Sequence, residues 1–466
     1  MSDVVGSVVD MVRRSPGSSA TVVVLCLVQF VDVLGVTAAI VAIPSMLDGV
    51  GAGDAAAGPI ATAYAMLFGG LLVVGARLGH RYGHVRMLLV GLLVFAVAGG
   101  VGALAGHAWQ LVLARAVQGA ASALTVPAAL SLLLAAATAT GQRARALGLW
   151  SAAGAAAGAS GLFVGGLLTE LLGWRAIFWV NVPLAVGLAG GVRYWVRVPP
   201  ARDRAASLDA VGALLLVTSV MGLVLGAALV QEDGSRVPGL LVVLAGAALG
   251  VLLAVWLRRA RRPLVSVSTL RTPQLLAGTL GSFVNTAATS STAVLLTLHL
   301  QRRHGFSAFG AGLTLLALSL AVVVGSAAAA RLARARGPRR PAVAGLDSMG
   351  VGNVVVSGTM VAGGGAGTGW TVAGTVVGLA FLGAGLGASS VAFNDIGTDL
   401  PEHEVATATG VLNTGAQLGT AIGVAVLLLV ASPGTYGPLP AEAVAILLAA
   451  LVTLAAARLV AHRRFA

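Results

Sequence analysis

Two charged side chains lie deep inside long apolar stretches of this sequence and are its clearest candidates for chemistry. Asp32 stands twelve residues into the stretch 20–44, which is ~18 Å along a helix at 1.5 Å per residue. Arg115 lies within the stretch 109–137, and its guanidinium stays charged at any working pH. Charges in such surroundings are rare and mark functional candidates by default. We interpret Asp32 as a proton-binding carboxyl, with a structural partnership with another helix through Arg115 as the alternative.

Amide side chains within other apolar stretches form a second set of candidates. Gln118 lies three residues after Arg115 and shares its helix face. Asn413 and Gln417 lie four residues apart and share a face in the same way, and Asn181 lies within a further apolar stretch. An amide at such a place either contacts a bound molecule or hydrogen-bonds a neighbouring helix, and the sequence leaves both interpretations open.

The elements that must position these side chains are membrane-spanning helices. The chain has 466 residues, of which 58% are hydrophobic and 10% are charged, and its mean hydropathy is +0.95. A bilayer core of ~30 Å requires about 20 apolar residues of helix. Stretches of this kind occur at 20–44, 57–79, 86–106, 109–137, 143–169, 174–196, 209–230, 237–257, 275–300, 308–330, 341–363, 370–397, 403–431 and 440–461. We therefore predict an all-α integral membrane protein with fourteen transmembrane helices.

The positive charge of the chain is concentrated in alternate connections between these stretches. In a soluble chain a formal net charge of +13 would favour a nucleic-acid partner, but the cytoplasmic loops of membrane proteins also collect arginine. With the N-terminus inside, only Arg175, Arg236, Arg302 and Arg303 fall outside, while Arg115 lies within a span. We predict a multi-pass protein of the cell (plasma or inner) membrane with both termini cytoplasmic and with no nucleic-acid partner.

A repeat divides the chain. Residues 76–92 align without a gap on residues 330–346, with seven identical residues of seventeen and a constant offset of 254. Both segments join two spans through a short basic turn. This register predicts an N-terminal six-helix half at 1–196, two inserted helices with basic linkers at 197–274, and a C-terminal six-helix half at 275–466. Parallel halves of this kind enclose the substrate path of known transporters.

Two segments resemble motifs of the fourteen-span drug:proton antiporter branch of the major facilitator superfamily. Residues 30–44 are similar to its first-span motif, which often has two acids: Asp32 matches the first, and Gly35 stands at the second. Residues 76–86 resemble its cytoplasmic gate turn, in which His80 replaces an acid that braces the two halves in the family. The residues that we assign to this gate turn are His80, Arg81, Gly83 and Arg86.

Two further segments extend the resemblance to the fourth and fifth spans. Residues 111–119 match the motif L-x-x-x-R-x-x-Q-G, whose arginine the family links to proton transfer. Residues 154–166 resemble the antiporter motif, with Leu162 in place of its proline. Small residues at four-residue spacing let helices approach closely. The glycines that we assign to this helix packing are Gly154, Gly158, Gly161, Gly165 and Gly166.

The resemblance implies proton-coupled export of small, partly lipophilic organic molecules, such as drugs or secondary metabolites, by alternating access. Asp32 and Arg115 are then the proton-coupling residues. The residues implied for the substrate path are Gln118, Asn181, Asn413 and Gln417. A dedicated exporter of one metabolite, or a transport-inactive membrane scaffold or sensor, is the alternative. The implied partners are the substrate, protons and the bilayer, while the oligomeric state stays open.

Enzyme, cofactor and metal chemistry find no support in the sequence. It lacks a phosphate-binding Gly-Lys-Ser/Thr loop, an HExxH pair and a Gly-x-Ser-x-Gly turn. The glycines at 383–387 fit a loose dinucleotide pattern but lie within a span with no preceding strand. Cys26 is the single cysteine, which rules out a disulfide framework and a cysteine-based metal site. We predict no catalytic residues, no cofactor and no metal ion.

We expect reporters fused to the C-terminus and at Gly365 to lie on opposite sides of the membrane. Gly365 falls between the eleventh and twelfth predicted spans, so fourteen spans with cytoplasmic termini place it outside. A phosphatase that is active only outside and a fluorescent protein that folds only inside provide the measurement. Signals from the same side would contradict the fourteen-span topology.

Overall fold

The protein is a bundle of long helices. The computed structural model describes residues 16–138, 143–196, 209–230, 236–260, 272–362, 368–400, 402–431 and 440–462. Within these ranges the helices are α1 (Pro16–Gly49), α2 (Ala57–Tyr82), α3 (His84–Ala103), α4 (Ala108–Thr138), α5 (Arg143–Leu172), α6 (Arg175–Trp195), α7 (Ala210–Val230), α8 (Arg236–Arg259), α9 (Pro273–Leu298), α10 (Ala308–Arg336), α11 (Arg339–Ala362), α12 (Thr368–Gly397), α13 (Glu402–Val430) and α14 (Ala441–His462). Each helix lies on one of the fourteen predicted spans, so the all-α class is confirmed.

Helix is the form that such apolar segments adopt in lipid, because a helix satisfies its backbone hydrogen bonds internally. In the described part of the chain, eleven helices contain an apolar window long enough to cross a membrane. The other three are α7, α9 and α11. In α9 the hydropathy is reduced by polar residues that are buried between helices: Ser282, Asn285, Thr289, Ser291, Thr292 and Thr297.

The helices α1–α6 and α9–α14 have matching neighbours. In the first set α1 packs against α5, α2 against α4, and α3 against α4 and α6. In the second set α9 packs against α13, α10 against α12, and α11 against α12 and α14. The two sets meet where α5 packs against α10 and where α2 packs against α13. These neighbours support our proposal that residues 1–196 and 275–466 are two halves, with 197–274 inserted between them.

Glycines bring the paired helices into backbone contact at corresponding places. A Cβ atom on Gly119 of α4 would lie 2.1 Å from the Tyr64 carbonyl oxygen of α2. A Cβ atom on Gly383 of α12 would lie 2.1 Å from the Leu318 carbonyl oxygen of α10. Tyr64 and Leu318 are 254 residues apart, which is the offset of the sequence repeat, while Gly119 and Gly383 are 264 apart. The repeat therefore extends to helix packing.

The same offset relates the turns that connect consecutive helices. Gly83, between α2 and α3, has a φ of 98°, and Gly337, between α10 and α11, has a φ of 76°. At the opposite end of the molecule, Gly51 and Gly305 have φ angles of 64° and 65°. Side chains other than glycine rarely adopt positive φ. We call the end that carries Gly83 and Gly337 the arginine-rich end, because the basic turns lie there.

The helices α7 and α8 form a hairpin on the outside of the bundle. They contact each other through glycines: a Cβ atom on Gly222 would lie 2.8 Å from the Gly246 Cα atom. The indole nitrogen of Trp256 donates a hydrogen bond of 2.9 Å to Asp209. The α7 helix packs against both α2 and α13, where Val220 is buried in an apolar cluster. It therefore covers one of the two seams between the proposed halves.

Asp347 of α11 pairs with an arginine that is distant in the sequence and not with an arginine of the adjacent basic turn. The adjacent basic turn makes Arg339 or Arg340 the expected partner, by snorkelling. In the structure Arg458 of α14 pairs with Asp347 at 3.1 Å. Arg339 instead donates hydrogen bonds to the carbonyl oxygens of Val460 and Ala461 at the end of α14. The reason is that α14 packs alongside α11, which brings Arg458 level with the carboxylate.

We expect Gly119→Ala to destabilise the protein, because the new methyl group would meet the Tyr64 carbonyl oxygen. Overpacking of this kind costs about 1–3 kcal/mol, and the thermal unfolding midpoint in detergent measures it. The matched control is Gly100→Ala on α3, where a Cβ atom would meet nothing within 4 Å. Equal midpoints for the two variants would contradict the proposed backbone contact.

Candidate functional site

Three helices bring an acid, a phenol and a guanidinium together in the interior. Asp32 of α1, Tyr64 of α2 and Arg115 of α4 are 6%, 1% and 3% exposed. The Tyr64 hydroxyl donates a hydrogen bond of 2.5 Å to Asp32 Oδ1. The guanidinium carbon of Arg115 lies 4.9 Å from the centre of the Tyr64 ring, within the range of a cation–π contact. We call these three residues the Asp32 cluster.

The backbone of α1 supplies a further contact for the buried guanidinium. Arg115 Nη1 donates a hydrogen bond of 3.2 Å to the Gly35 carbonyl oxygen. Arg115 also lies one turn before Gly119, the residue at which α4 touches α2. The close approach of α4 to α2 thus places the guanidinium against the Tyr64 ring. A cation without water needs such partners, because burying an unpaired charge is costly.

Asp32 and Arg115 do not form the direct ion pair that the sequence left as an alternative. In the described part of the chain, no nitrogen of Arg115 lies within 4.0 Å of an Asp32 oxygen. Tyr64 connects them instead, through its hydroxyl on one side and its ring face on the other. The hydrogen bond that the structure gives the carboxyl therefore comes from a neutral donor.

Gln118 and Asn181 lie close to the Asp32 cluster. Gln118 is fully buried on α4, and within the described residues neither atom of its amide has a hydrogen-bond partner. Asn181 of α6 is 2% exposed. A Cβ atom on Gly35 would lie 3.5 Å from its Nδ2 atom. A side chain at position 35 would thus meet Asn181 and Phe95.

Asn413 and Gln417 occupy a different part of the bundle. Asn413 of α13 is exposed and Gln417 is half-buried. A Cβ atom on Gly69 of α2 would lie 2.6 Å from the Cβ atom of Gln417. Gln417 therefore lies in the contact between α2 and α13. Among the described residues, neither amide hydrogen-bonds to the Asp32 cluster.

The glycines of the fifth-span motif face α1 and α10. A Cβ atom on Gly161 would meet the side chain of Thr37, and one on Gly165 would lie 2.4 Å from the Ala38 carbonyl oxygen. Gly154 and Gly158 face Gln29 and Val33 of the same helix. A Cβ atom on Gly166 would lie 2.6 Å from the Ala308 carbonyl oxygen of α10. Four of these glycines thus pack α5 against the helix that carries Asp32, and the fifth packs it against the other proposed half.

The predicted gate turn lies at the arginine-rich end. His80 and Arg86 are exposed and Gly83 is buried. The rings of His80 and His84 meet edge to face at 4.8 Å, and the Arg81 guanidinium lies 5.5 Å from the Tyr82 ring. Among the residues that the structure describes, no ion pair involves His80, Arg81 or Arg86.

Tyr64 is the one member of the Asp32 cluster that sequence reasoning missed. A signal was present, because Tyr64 lies within a predicted span, whereas Tyr82 and Tyr194 lie at helix ends. A buried tyrosine hydroxyl usually has a hydrogen-bond partner. A tyrosine in the middle of an apolar stretch therefore predicts a polar group on a neighbouring helix.

The chain is similar to a known family along most of its length. The sequence model of the protein family described as Major Facilitator Superfamily matches residues 25–424. The cephamycin export protein CmcT of Amycolatopsis lactamdurans is 32% identical over 448 residues, which cover 92% of this chain and 88% of that protein. The puromycin resistance protein pur8 of Streptomyces alboniger is 30% identical, over 89% of this chain and 82% of that protein.

Solved structures of membrane transporters share the fold. A peptide transporter, POT, in complex with sulfate gives a TM-score of 0.69 with 16% identity, and the match covers 95% of this chain and 93% of that one. The human organic anion transporter MFSD10 gives 0.62 with 16% identity, covering 96% and 100%. At such low identity these matches show the fold alone.

We expect the hydrogen bond between Tyr64 and Asp32 to appear as energetic coupling. Tyr64→Phe keeps the ring beneath Arg115 and removes the hydroxyl, which should cost roughly 1–3 kcal/mol. In an Asp32→Ala background the same change should cost much less, because the acceptor is absent. Equilibrium unfolding in detergent measures both. In an Asn413→Ala background, used as the control, the parental cost should return; an equal cost in all three backgrounds would contradict the contact.

Proposed function

This chain belongs to the Major Facilitator Superfamily, and from that premise we propose that it exports small, partly lipophilic organic molecules such as antibiotics or other secondary metabolites. Relatives at 30–32% identity are named for cephamycin export and puromycin resistance. A relative in Streptomyces glaucescens is named for tetracenomycin C resistance and export. Alternating access between two halves is the mechanism, with the substrate path between them.

Proton coupling is the part of this proposal that the Asp32 cluster carries. A coupling acid must be able to exist both charged and neutral inside the protein. Burial disfavours the charged carboxylate, whereas the Tyr64 hydroxyl and the nearby Arg115 guanidinium favour it. Opposing influences of this kind keep both forms within reach. Substrate binding then releases the proton of Asp32, and exposure to the other side of the membrane reloads it.

The contacts of Arg115 link the protonation state of Asp32 to the backbone of α1. Arg115 binds the Gly35 carbonyl oxygen of α1, three residues beyond Asp32. A change in the charge of Asp32 alters its attraction for Arg115 across the Tyr64 ring. Because Arg115 holds α1 directly, we propose that the protonation state of Asp32 changes the contact between α1 and α4.

The substrate path follows from the same assignment. Gln118 is buried one turn from Arg115 without a hydrogen-bond partner among the described residues, so it is available to a bound molecule. Asn181 lies beside Gly35. Asn413 and Gln417 lie on α13, on the other side of the path in our proposal. The positive-inside rule favours a cytoplasmic position for the arginine-rich end. Both termini then lie on the cytoplasmic side of the cell membrane.

A dedicated exporter of one metabolite is the second candidate. Several relatives are named for single compounds, such as cephamycin and actinorhodin, while a relative in Mycolicibacterium smegmatis is named a multidrug efflux pump. A panel of structurally unrelated antibiotics, tested for accumulation in an efflux-deficient host, separates the two. Export of one compound from the panel favours the dedicated exporter.

We expect Asp32→Asn to abolish uphill, gradient-driven export and to leave folding intact. Asparagine keeps the shape of the side chain and the acceptor for Tyr64 but cannot exchange a proton. The measurement is the uphill accumulation of substrate inside everted vesicles, where export from the cell becomes uptake. The rate is normalised to the amount of protein in the membrane.

The matched control is Asp347→Asn, which removes a carboxylate that is paired with Arg458 at 3.1 Å, away from the Asp32 cluster. This variant should retain substantial transport. If Asp32→Asn pumps at the parental rate and stays sensitive to proton uncouplers, another acid couples transport. If the parental protein exports no member of the panel under a proton gradient, the proposed function fails.

A further inference from the structure

A basic groove lies between α11 and α14 at the arginine-rich end, on the outside of the bundle. The residues that line it are Arg339, Arg340, Val343, Ala344, Asp347 and Ala461. Roughly three turns further along α11, the two helices come into contact, where a Cβ atom on Gly350 would lie 2.5 Å from the Leu454 Cγ atom. No residue of the Asp32 cluster or of the proposed substrate path lines the groove.

Two adjacent arginines supply the positive charge of the groove. The Arg339 guanidinium donates hydrogen bonds to the carbonyl oxygens of Val460 and Ala461, which fix its position at the end of α14. A guanidinium has five N–H donors, so these bonds leave donors for a second partner. Arg340 is exposed. In the described part of the chain, neither arginine forms an ion pair, so the groove favours an anion.

The carboxylate in the groove does not neutralise these arginines. Arg458 of α14 pairs with Asp347 Oδ2 at 3.1 Å, and Asp347 Oδ1 is buried in the protein. The charge of Asp347 is therefore already balanced by an arginine outside the groove lining. A ligand with an ammonium group would find no free carboxylate here, whereas the phosphate of a ligand would meet two guanidinium groups.

One face of α11 continues from the groove towards the middle of the helix. The residues of this face recur at intervals of four and three, and they are Arg340, Ala344, Asp347, Val351 and Val354. Ala344 is exposed, and Val351 and Val354 are 45% and 44% exposed. The face thus begins with an arginine and ends with exposed apolar side chains. A phospholipid presents its phosphate and its acyl chains in the same order.

We propose that this groove binds one anionic phospholipid of the phosphatidylglycerol class, in the leaflet at the arginine-rich end. The phosphate accepts hydrogen bonds from Arg339 and Arg340, and the acyl chains lie along Val351 and Val354. Guanidinium groups suit this role because their planar donor pairs match the oxygens of a phosphate. Basic pockets between transmembrane helices bind anionic lipid headgroups in this way. The site is separate from the proton chemistry of Asp32.

The first proposed half lacks this combination at the corresponding place. The repeat aligns Arg340 with Arg86, but it aligns Arg339 with Val85 and Asp347 with Leu93. Leu93 is 53% exposed. One arginine beside apolar side chains attracts a phosphate at a single point, whereas two adjacent arginines, one of them fixed by α14, hold it from two sides. The lipid site therefore belongs to the second proposed half.

Native mass spectrometry of the full chain in detergent tests the proposal by counting the lipid molecules that stay bound. We expect dioleoyl phosphatidylglycerol to bind more tightly than dioleoyl phosphatidylethanolamine. Arg340→Gln should weaken the first phosphatidylglycerol-binding step about 5-fold, which is the effect of one arginine at a membrane surface. Arg340→Lys keeps the charge and should bind like the parental protein. Glycerol phosphate should not displace the lipid; displacement would mark a site for free phosphate esters and overturn the proposal.

The matched control is Arg259→Gln. It removes an exposed arginine from the same end of the molecule, at the end of α8 and outside the groove. The first phosphatidylglycerol-binding step should stay at its parental affinity in this variant. Equal affinities for the two lipids, or the same loss in Arg259→Gln as in Arg340→Gln, would show general attraction to a basic surface and overturn the site.

Brominated lipids test where the lipid binds. A fluorophore on Ala344→Cys, in a Cys26→Ser background, reports from within the groove in proteoliposomes. Phosphatidylglycerol with brominated chains should quench it more strongly than brominated phosphatidylethanolamine, and Arg340→Gln should remove the difference. Equal quenching by the two lipids in the parental protein contradicts the assignment. Neither measurement needs a transported substrate, so failure of the proposed export leaves the lipid site to be judged on its own.

Discussion

The cost of burying charge among apolar helices is the constraint on which the rest of this structure depends. A carboxyl and a guanidinium that lie inside a membrane bundle need partners in the protein, because lipid supplies none. Here the partners are the hydroxyl and ring of Tyr64 and the backbone carbonyl of Gly35. These partners come from α1 and α2, so α4 must approach both helices closely. Gly119 permits that approach.

The two proposed halves share a backbone plan but differ in the chemistry that they carry. Gly119 and Gly383 make equivalent contacts with the carbonyl oxygens of residues 64 and 318. Four residues before these glycines stand Arg115 in one half and Leu379 in the other. Leu318 takes the place of Tyr64. Packing needs only small residues at the contact. Among the described residues, the second proposed half therefore keeps the helix contact but has no buried counterpart of Asp32 and Arg115.

The α1 helix is the element that carries or contacts each part of the candidate site. It carries Asp32, accepts the Arg115 hydrogen bond at Gly35 and packs against the motif glycines of α5. It also ends at Asp48, one of the carboxylates that Arg302 holds. The same helix therefore connects the Asp32 cluster, the glycine contacts with α5 and the end of the bundle opposite the arginine-rich end.

The sequence by itself determined which residues lie in long apolar helices and where the chain turns between them. Apolar length predicted fourteen helices, and the glycine pattern predicted the turn at Gly83, which adopts a positive φ. Asp32 and Arg115 could be identified because a charge is conspicuous in an apolar stretch. Only the tertiary structure decided the partners: Tyr64 between those two charges, Arg458 for Asp347, and two carboxylates for Arg302. The reason is that hydropathy reports position along a helix axis, whereas partners depend on which helices are neighbours and how each is rotated.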